Sequence, residues 1–222
     1  MPRRVPVVLL HGALRSPLGM RPTARFLARH GFDARSFGYA TRRQSLEGHA
    51  EQLELEIRAW LADREPCELL GLLTHSMGGL VARALLARPS LLELAPRQRL
   101  VMLAPPNQGA ELAVRNHGFA PFHWLYGLAA DELQPPRVAQ LPPPPPSCET
   151  LILVGGTGDG HGYNPALSGD DDGVVALHET PLPGLEPEFV GGVHSTLQWR
   201  RDVLARAVEF LTHGENSPSA AQ

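Results

Sequence analysis

The feature that most constrains the fold is a set of short segments that are apolar at almost every position. Val5–Leu10 is continuously apolar and ends at His11-Gly12, and residues 68–74 form a second such run. Runs of this kind are typical of strands buried on both faces of a parallel sheet, because helices cover both sides of that sheet. Further strands are predicted over residues 32–39, 99–104, 150–154 and 189–193.

Between these strands, apolar residues recur every three or four positions, which predicts helices over residues 45–64, 77–88 and 196–212. Ser45 is the predicted N-cap of the first helix, and Pro89 is expected to stop the second. Strands that alternate with helices predict right-handed crossovers and a mostly parallel sheet with helices on both faces. We predict one domain over residues 1–214 and a disordered tail over residues 215–222.

Charge and composition exclude several classes of function. The net charge of −3 argues against nucleic-acid binding, and all 20 basic residues are arginines, which excludes lysine chemistry. The turn after the first strand lacks the glycine pattern of a nucleotide-binding domain. The first apolar run is too short for a signal peptide, and no segment reaches the ~20 apolar residues of a membrane span. We therefore expect a cytoplasmic protein without a stable membrane anchor; the sequence does not indicate its oligomeric state.

A serine lies where the strand over residues 68–74 runs directly into the next helix, in the stretch Thr74-His75-Ser76-Met77-Gly78. A serine hydroxyl is a weak nucleophile, so it needs exposure, a nearby base and an oxyanion site. A strand–turn–helix presents the hydroxyl at the carboxyl edge of the sheet, beside the free N–H groups of the helix. The pattern is close to G-x-S-x-G, with Thr74 in place of the first glycine. The alternative is that Ser76 only caps the helix.

Five short segments, in order, resemble the α/β-hydrolase superfamily and within it the bacterial lipase and carboxylesterase branch. They are Val7-Val8-Leu9-Leu10-His11-Gly12, residues 74–79, residues 102–109, Asp172-Gly173-Val174-Val175 and Gly192-Val193-His194. The resemblance extends over nearly the whole chain. It implies an α/β-hydrolase fold with a small lid insertion, about residues 107–147, after the sixth strand of that family. It also implies a serine hydrolase that acts on ester bonds and needs no cofactor.

In this superfamily the catalytic residues follow the order serine, acid, histidine. His194, which follows the last predicted strand, is the predicted base that accepts the proton of Ser76. Asp172 is the predicted acid because it precedes Gly-Val-Val, the pattern that the resemblance favours. Two other aspartates of the same region remain alternatives, namely Asp171 and Asp159.

The remaining polar residues of these loops are given simpler roles. Asp170 is expected to be a solvated surface carboxylate, and no metal is expected, since the chain lacks both EF-hand spacing and H-E-x-x-H. His11 is expected to brace its own loop. The other histidines are divided between surface positions (His30, His49 and His213) and loops that can touch substrate (His117, His123, His161 and His178).

The resemblance also implies an oxyanion hole made by the backbone N–H groups of Ala13 and Met77. The predicted substrate pocket and lid comprise Leu14, Phe119, Phe122, Trp124 and Tyr126; alternatively, the rings only attach the insertion to the body. We expect a small-molecule or lipid-like ester with a short to medium acyl chain. The alternatives are an amidase, thioesterase or perhydrolase with the same catalytic residues, or a relative that binds a ligand or partner without catalysis.

Two cysteines, Cys67 and Cys148, precede two strands that are expected to have a third strand between them. Their backbones would then lie roughly 10 Å apart, or two strand spacings. A disulfide requires Cα atoms within about 7 Å. Both thiols are therefore predicted to be free.

Overall fold

A computed structural model describes residues 4–214, apart from the side chain of Leu92, so the predicted tail over residues 215–222 lies outside the described residues. Within that range, six strands form one sheet in the order β2-β1-β3-β4-β5-β6, and every neighbouring pair is parallel. The strands are β1 (Val5–Leu10), β2 (Phe32–Phe37), β3 (Leu69–His75), β4 (Arg97–Leu103), β5 (Cys148–Val154) and β6 (Glu188–Phe189). The predicted parallel sheet is confirmed.

Helices cover both faces of the sheet. They are α1 (Arg21–Arg29), α2 (Leu46–Leu61), α3 (Met77–Leu86), α4 (Pro89–Leu92), α5 (Glu111–Asn116), α6 (Ala120–Tyr126), α7 (Ala129–Glu132), α8 (Pro135–Val138) and α9 (Arg201–His213). Short 3-10 helices cover Pro17–Met20, Leu177–Glu179 and His194–Trp199. The Ser45 hydroxyl accepts a hydrogen bond from the N–H of Gly48 at 3.2 Å, so the predicted N-cap of α2 is confirmed.

The two faces of the sheet form separate cores. Along β1, Val8 and Leu10 pack with residues of α2 and α3, whereas Val7 and Leu9 pack with residues of α1 and α9. Successive side chains of a strand point to opposite faces, so a strand between two helical layers must be apolar at consecutive positions. Gly71 in β3 lets α9 approach closely, since a Cβ atom there would lie 3.1 Å from the Leu211 side chain.

Two predicted elements differ from the structure, and one helix has no counterpart among the predictions. The strand predicted over residues 189–193 keeps its parallel ladder with β5 only at Glu188–Phe189, because Gly191 and Gly192 take positive φ angles of 64° and 86°; Gly192 instead forms an isolated antiparallel bridge with Gly156. The helix predicted over residues 196–212 is divided at Arg200, whose backbone is extended (φ −68°, ψ 129°). Helix α1 is not among the predicted elements, although Leu27 and the partly buried Ala24 and Phe26 pack on the core between its arginines.

The insertion over residues 107–147 folds into α5 to α8, and a buried arginine of α3 joins its two ends. The Arg83 guanidinium donates to the carbonyls of Asn107 at 3.2 Å, Leu141 at 2.6 Å and Pro142 at 3.2 Å. Burial lowers the pKa of this guanidinium to about 10. The helix that follows Ser76 is thus tied directly to the insertion.

No disulfide joins Cys67 and Cys148 within residues 4–214, in agreement with the prediction: Cys148 begins β5, and Cys67 lies just before β3, with β4 between these strands. Burial raises the pKa of the Cys148 thiol to about 12. No helix among residues 4–214 combines the length and the apolar character that a bilayer span requires.

Candidate active site

Ser76 occupies a strained turn between β3 and α3. Its backbone has φ 54° and ψ −128°, a conformation that residues with a Cβ atom rarely adopt. Its side chain forms no capping hydrogen bond with α3, so the interpretation of Ser76 as a simple N-cap is wrong. Instead the residue lines a cavity at the carboxyl edge of the sheet. Strain retained at an exposed hydroxyl is typical of a nucleophile elbow.

Small residues allow this turn to pack against the loop after β1. A Cβ atom on Gly78 would lie 2.8 Å from the carbonyl oxygens of Leu10 and His11, and one on Gly12 would lie 3.1 Å from the Cβ of Ser76. Thr74, which replaces the usual first glycine, is fully buried and donates its hydroxyl proton to the Val101 carbonyl at 3.2 Å. The departure from the pattern is accommodated because β4 satisfies the threonine hydroxyl.

The predicted acid and base form a buried hydrogen-bonded pair. Nδ1 of His194 lies 2.7 Å from Oδ2 of Asp172, and the two side chains are 8% and 1% exposed. Oδ1 of Asp172 accepts from the backbone N–H groups of Val174 at 3.0 Å and Val175 at 2.8 Å. A carboxylate only accepts, so Nδ1 carries the ring proton and Nε2 retains its lone pair. This is the tautomer that a general base requires.

The other aspartates have different partners. Asp171 is fully buried and accepts from the backbone N–H groups of Tyr163, Asn164 and Gly173, which folds its own loop. Asp159 is exposed and bonds to the Thr157 hydroxyl and the His161 N–H. Asp170, expected to be solvated, is half-buried, and its carboxylate also accepts from the N–H groups of Thr157 and Gly158 at 2.8 and 2.7 Å. Among these aspartates, Asp172 alone meets His194.

His75, the residue before Ser76, positions the predicted base His194. Its Nε2 donates to the backbone carbonyl of His194 at 2.9 Å, and the two rings lie 4.6 Å apart. The N–H of His194 donates in turn to the carbonyl of Asp172 at 2.8 Å. Burial, followed by the neighbouring His194, holds the pKa of His75 well below its usual value. A neutral His75 adds no charge beside the base.

Ser76 and His194 line the same cavity, although Ser76 follows the central strand β3 and His194 follows the edge strand β6. No hydrogen bond links the serine hydroxyl to the imidazole among the described residues. Catalytic hydrogen bonds are often long in substrate-free sites and shorten when substrate is bound. The arrangement therefore places the predicted nucleophile and the predicted base around one cavity.

Within residues 4–214, neither predicted oxyanion donor, the N–H of Ala13 or of Met77, donates to a backbone carbonyl. Met77 begins α3, so its N–H has no partner within the helix, and the helix dipole favours negative charge there. Ala13 follows Gly12 and lines the cavity. The N–H of the next residue, Leu14, is already donated to the Thr41 hydroxyl at 3.3 Å. The amides of Ala13 and Met77 remain the predicted pair.

The cavity has a volume of about 350 Å³ and a mostly apolar wall. Leu14, Phe122 and Tyr126 line it as predicted, and the two rings stack with centroids 4.4 Å apart. Phe119 and Trp124, predicted as pocket or lid residues, do not line the cavity and are 60% and 76% exposed, so their assignment to the pocket is wrong. A short helix presents only one side to the cavity, and residues spaced four apart share that side.

A larger depression of about 780 Å³ lies at the opposite, amino-terminal edge of the sheet, around Arg4 and Asp33. Its wall includes Arg58 and Glu93, which form a salt bridge at 3.1 Å. Parallel sheets bind ligands at the carboxyl ends of their strands, where the serine, acid and histidine lie. Size therefore does not identify the functional cavity here.

Two further histidines, His11 and His49, are buried. His11 stacks on Tyr39 at 4.4 Å, and its Nδ1 lies 2.9 Å from the Gly12 carbonyl, which confirms the bracing role. The surface position predicted for His49 is wrong, since it is fully buried and neither ring nitrogen has a hydrogen-bond partner. Burial, with a smaller effect of His11, lowers the pKa of His49 to about 4. The four histidines predicted in loops do not line the Ser76 cavity.

No protein-family model matches the chain, and a search of curated proteins finds no match either. Solved structures are similar over nearly its full length. The mature form of the Bacillus licheniformis lipase BlEst2 superposes with a TM-score of 0.77 at 17% identity, covering 95% of this chain and 93% of that one. The metagenomic carboxyl esterase MGS0156 gives a TM-score of 0.67 at 16% identity, covering 94% and 76%. The type II thioesterase YbtT gives 0.63 at 17% identity, covering 96% and 95%.

The chain has the α/β-hydrolase fold. The fold that the sequence resemblance implied is thereby confirmed. In this α/β-hydrolase the strained serine follows β3, the acid lies in the loop after β5, and the histidine follows β6. Identities of this size establish the fold alone, because one fold supports several acyl-transfer activities.

Proposed function

We propose that this chain is a serine hydrolase that cleaves carboxylic esters with short to medium acyl chains. The observation that carries the proposal is the buried Asp172–His194 hydrogen bond at the cavity that holds the strained Ser76. A histidine whose Nδ1–H is held by a buried carboxylate is oriented to act as a base through Nε2. The esterase and lipase structures that share the fold support the same reaction.

In the proposed reaction, the Ser76 hydroxyl attacks the ester carbonyl while Nε2 of His194 takes its proton. The N–H groups of Met77 and Ala13 stabilise the negative oxygen of the tetrahedral intermediate. His194 then gives the proton to the leaving alcohol, and an acyl group remains on Ser76. Water, deprotonated by the same imidazole, attacks the acyl-enzyme and releases the acid. Asp172 stabilises the imidazolium throughout and keeps its own charge.

The acyl preference rests on the size and lining of the cavity. Its volume of about 350 Å³ is at the lower end of the roughly 300–1,000 Å³ range of ligand pockets. Its wall beyond the serine is formed largely by apolar residues of the insertion, among them Ala110, Leu112, Phe122 and Tyr126. An apolar, bounded space of this size suits an acyl chain better than a charged group. As in the sequence resemblance, we assign the insertion the role of a lid.

The proposal is tested with a fluorophosphonate probe and a series of p-nitrophenyl esters from acetate to laurate. We expect the probe to label Ser76 in the intact chain and not in Ser76→Ala, with the highest kcat/KM between butyrate and octanoate. The absence of both labelling and turnover would instead support a binding protein without catalytic activity. Labelling without turnover of any ester would show that the nucleophile is active but that the ester assignment is wrong.

A thioesterase is the second candidate, because the thioesterase YbtT shares the fold over 95% of its own chain. Both activities use the same nucleophile, base and oxyanion donors. We therefore compare a matched ester and thioester that carry the same acyl group. A kcat/KM at least about tenfold higher for the thioester, beyond the difference in uncatalysed hydrolysis, would favour the thioesterase.

A further inference from the structure

The insertion contains a cluster of two histidines and one aspartate that is separate from the Ser76 cavity. His117 follows α5, His123 lies within α6, and Asp131 lies within α7. One potential ligand atom from each residue lies within 4.8 Å of the other two, and in the part of the chain that the structure describes this is the sole group of its kind. Imidazole nitrogens and a carboxylate oxygen are the ligands that zinc accepts. We propose that these three residues bind one zinc ion.

The first pair already has nearly the spacing of two zinc ligands. Nε2 of His117 lies 3.0 Å from Oδ1 of Asp131. Ligands about 2.0–2.1 Å from a tetrahedral zinc are separated from each other by about 3.3 Å. A zinc ion can therefore take the place of the proton between these two atoms after a small outward movement. The two side chains are 50% and 54% exposed, so they are free to make that movement and leave a coordination position for water.

The third residue has its ring nitrogens arranged as a metal ligand requires. Nε2 of His123 lies 2.6 Å from the backbone carbonyl of His117, so Nε2 carries the proton and Nδ1 retains the lone pair. A histidine that binds metal commonly donates its other ring N–H to a carbonyl or carboxylate, which fixes the tautomer. The rings of His117 and His123 meet edge to face with centroids 4.8 Å apart. Ligand atoms of three separate helical segments thus lie within reach of one ion.

The proposed ion would stabilise a helix that lies mostly at the surface. None of the residues of α6 is fully buried, and its apolar packing on the core is limited to the partly buried Phe122 and Tyr126. The same helix carries Phe122 and Tyr126, which line the Ser76 cavity. The zinc would therefore join α5, α6 and α7 and fix two walls of that cavity. The sequence motifs for zinc miss such a site, because its ligands come from three elements without regular spacing.

The test measures zinc binding directly and does not depend on the proposed ester hydrolysis. The untagged full chain is stripped with EDTA, desalted and titrated with zinc chloride near neutral pH by calorimetry. We expect one zinc per chain, and at least about tenfold weaker binding in each of His117→Ala, His123→Ala and Asp131→Asn. His161→Ala is the matched control, since Nδ1 of the exposed His161 lies 3.8 Å from Asp159 without a third ligand. This variant should bind zinc as the parent does.

Two structural readouts distinguish this site from adventitious binding. X-ray absorption should show two imidazole nitrogens and oxygen ligands at about 2.0–2.1 Å, and amide hydrogen exchange over residues 117–131 should slow when zinc is added. Circular dichroism of the zinc-free variants checks that they are folded. The proposal is overturned if the stripped chain takes up no zinc, or if His117→Ala and His123→Ala bind it as tightly as the parent.

Discussion

Replacing Asp172 with asparagine changes one atom of the site and should nearly abolish activity. In the parent, Oδ2 of Asp172 accepts from Nδ1 of His194 at 2.7 Å, while Oδ1 accepts from the N–H groups of Val174 and Val175. The asparagine has one acceptor oxygen for these two sets of donors. If its oxygen faced His194, its NH₂ group would face two buried N–H groups, and such unpaired donors each cost about 1–3 kcal/mol. The oxygen therefore turns toward the two backbone N–H groups.

In that orientation the NH₂ group faces Nδ1 of His194, so Nδ1 must become the acceptor and the ring proton moves to Nε2. A protonated Nε2 cannot accept the proton of Ser76. The equivalent change of tautomer in a serine protease lowers kcat by about 10⁴, which corresponds to about 5 kcal/mol of transition-state stabilisation. The Asp172 side chain is 1% exposed, so water is not expected to restore the lost interaction. We predict a fall of roughly 10³–10⁴ in kcat with little change in KM.

The measurement is a steady-state assay with p-nitrophenyl butyrate, accompanied by a denaturation curve for each variant. Asp171→Asn and Asp159→Asn are the matched controls, because these carboxylates contact other parts of the loop. Asp171→Asn should lower stability yet keep kcat within about tenfold of the parent at temperatures where it is folded. If Asp172→Asn stays within tenfold of the parent, or if either control falls as far as Asp172→Asn, the assignment of the acid is refuted.

Three further predictions concern the core, the insertion and the cavity. The pKa of buried His49 is about 4, below its unfolded value of about 6.5, so the unfolded state binds more protons between these values and stability falls as pH is lowered. Lowering the pH from about 7 to about 4 should therefore reduce the free energy of unfolding of His49→Leu by up to about 3 kcal/mol less than that of the parent. An unchanged pH dependence of urea unfolding would contradict this. Arg83→Met removes the donor shared by three carbonyls, two of them buried, and should destabilise the chain by about 3 kcal/mol in the same assay; a change below about 1 kcal/mol would mean that Arg83 does not hold the insertion. Phe122→Ala should lower kcat/KM for p-nitrophenyl octanoate roughly tenfold, whereas Trp124→Ala, on the exposed side of the same helix, should stay within about twofold; equal losses would remove the assignment of Phe122 to the acyl wall.

Local patterns were sufficient to predict the sheet and the strand–turn–helix that contains Ser76. The continuously apolar β1 and β3 are determined by their own residues, because a strand between two helical layers must be apolar on both faces. The turn at Ser76 could also be predicted, since a strand, a small-residue turn and a helix follow each other without interruption. Where glycines interrupt a pattern, as at Gly191 and Gly192, the apolar residues alone predicted too long a strand.

Tertiary contacts determine which hydrogen-bond partner each polar residue has. Three aspartates lie within a few residues of one another along the chain, and only folding shows that Asp172 meets His194, 22 residues away, while Asp171 folds its own loop. The support that His75 gives to His194 spans 119 residues, and no local pattern signals it. The sequence determines which faces must be buried, because burial follows from the apolar character of each residue along the chain. Directional hydrogen bonds between distant segments depend on distances of tenths of an ångström, and only the folded chain sets those distances.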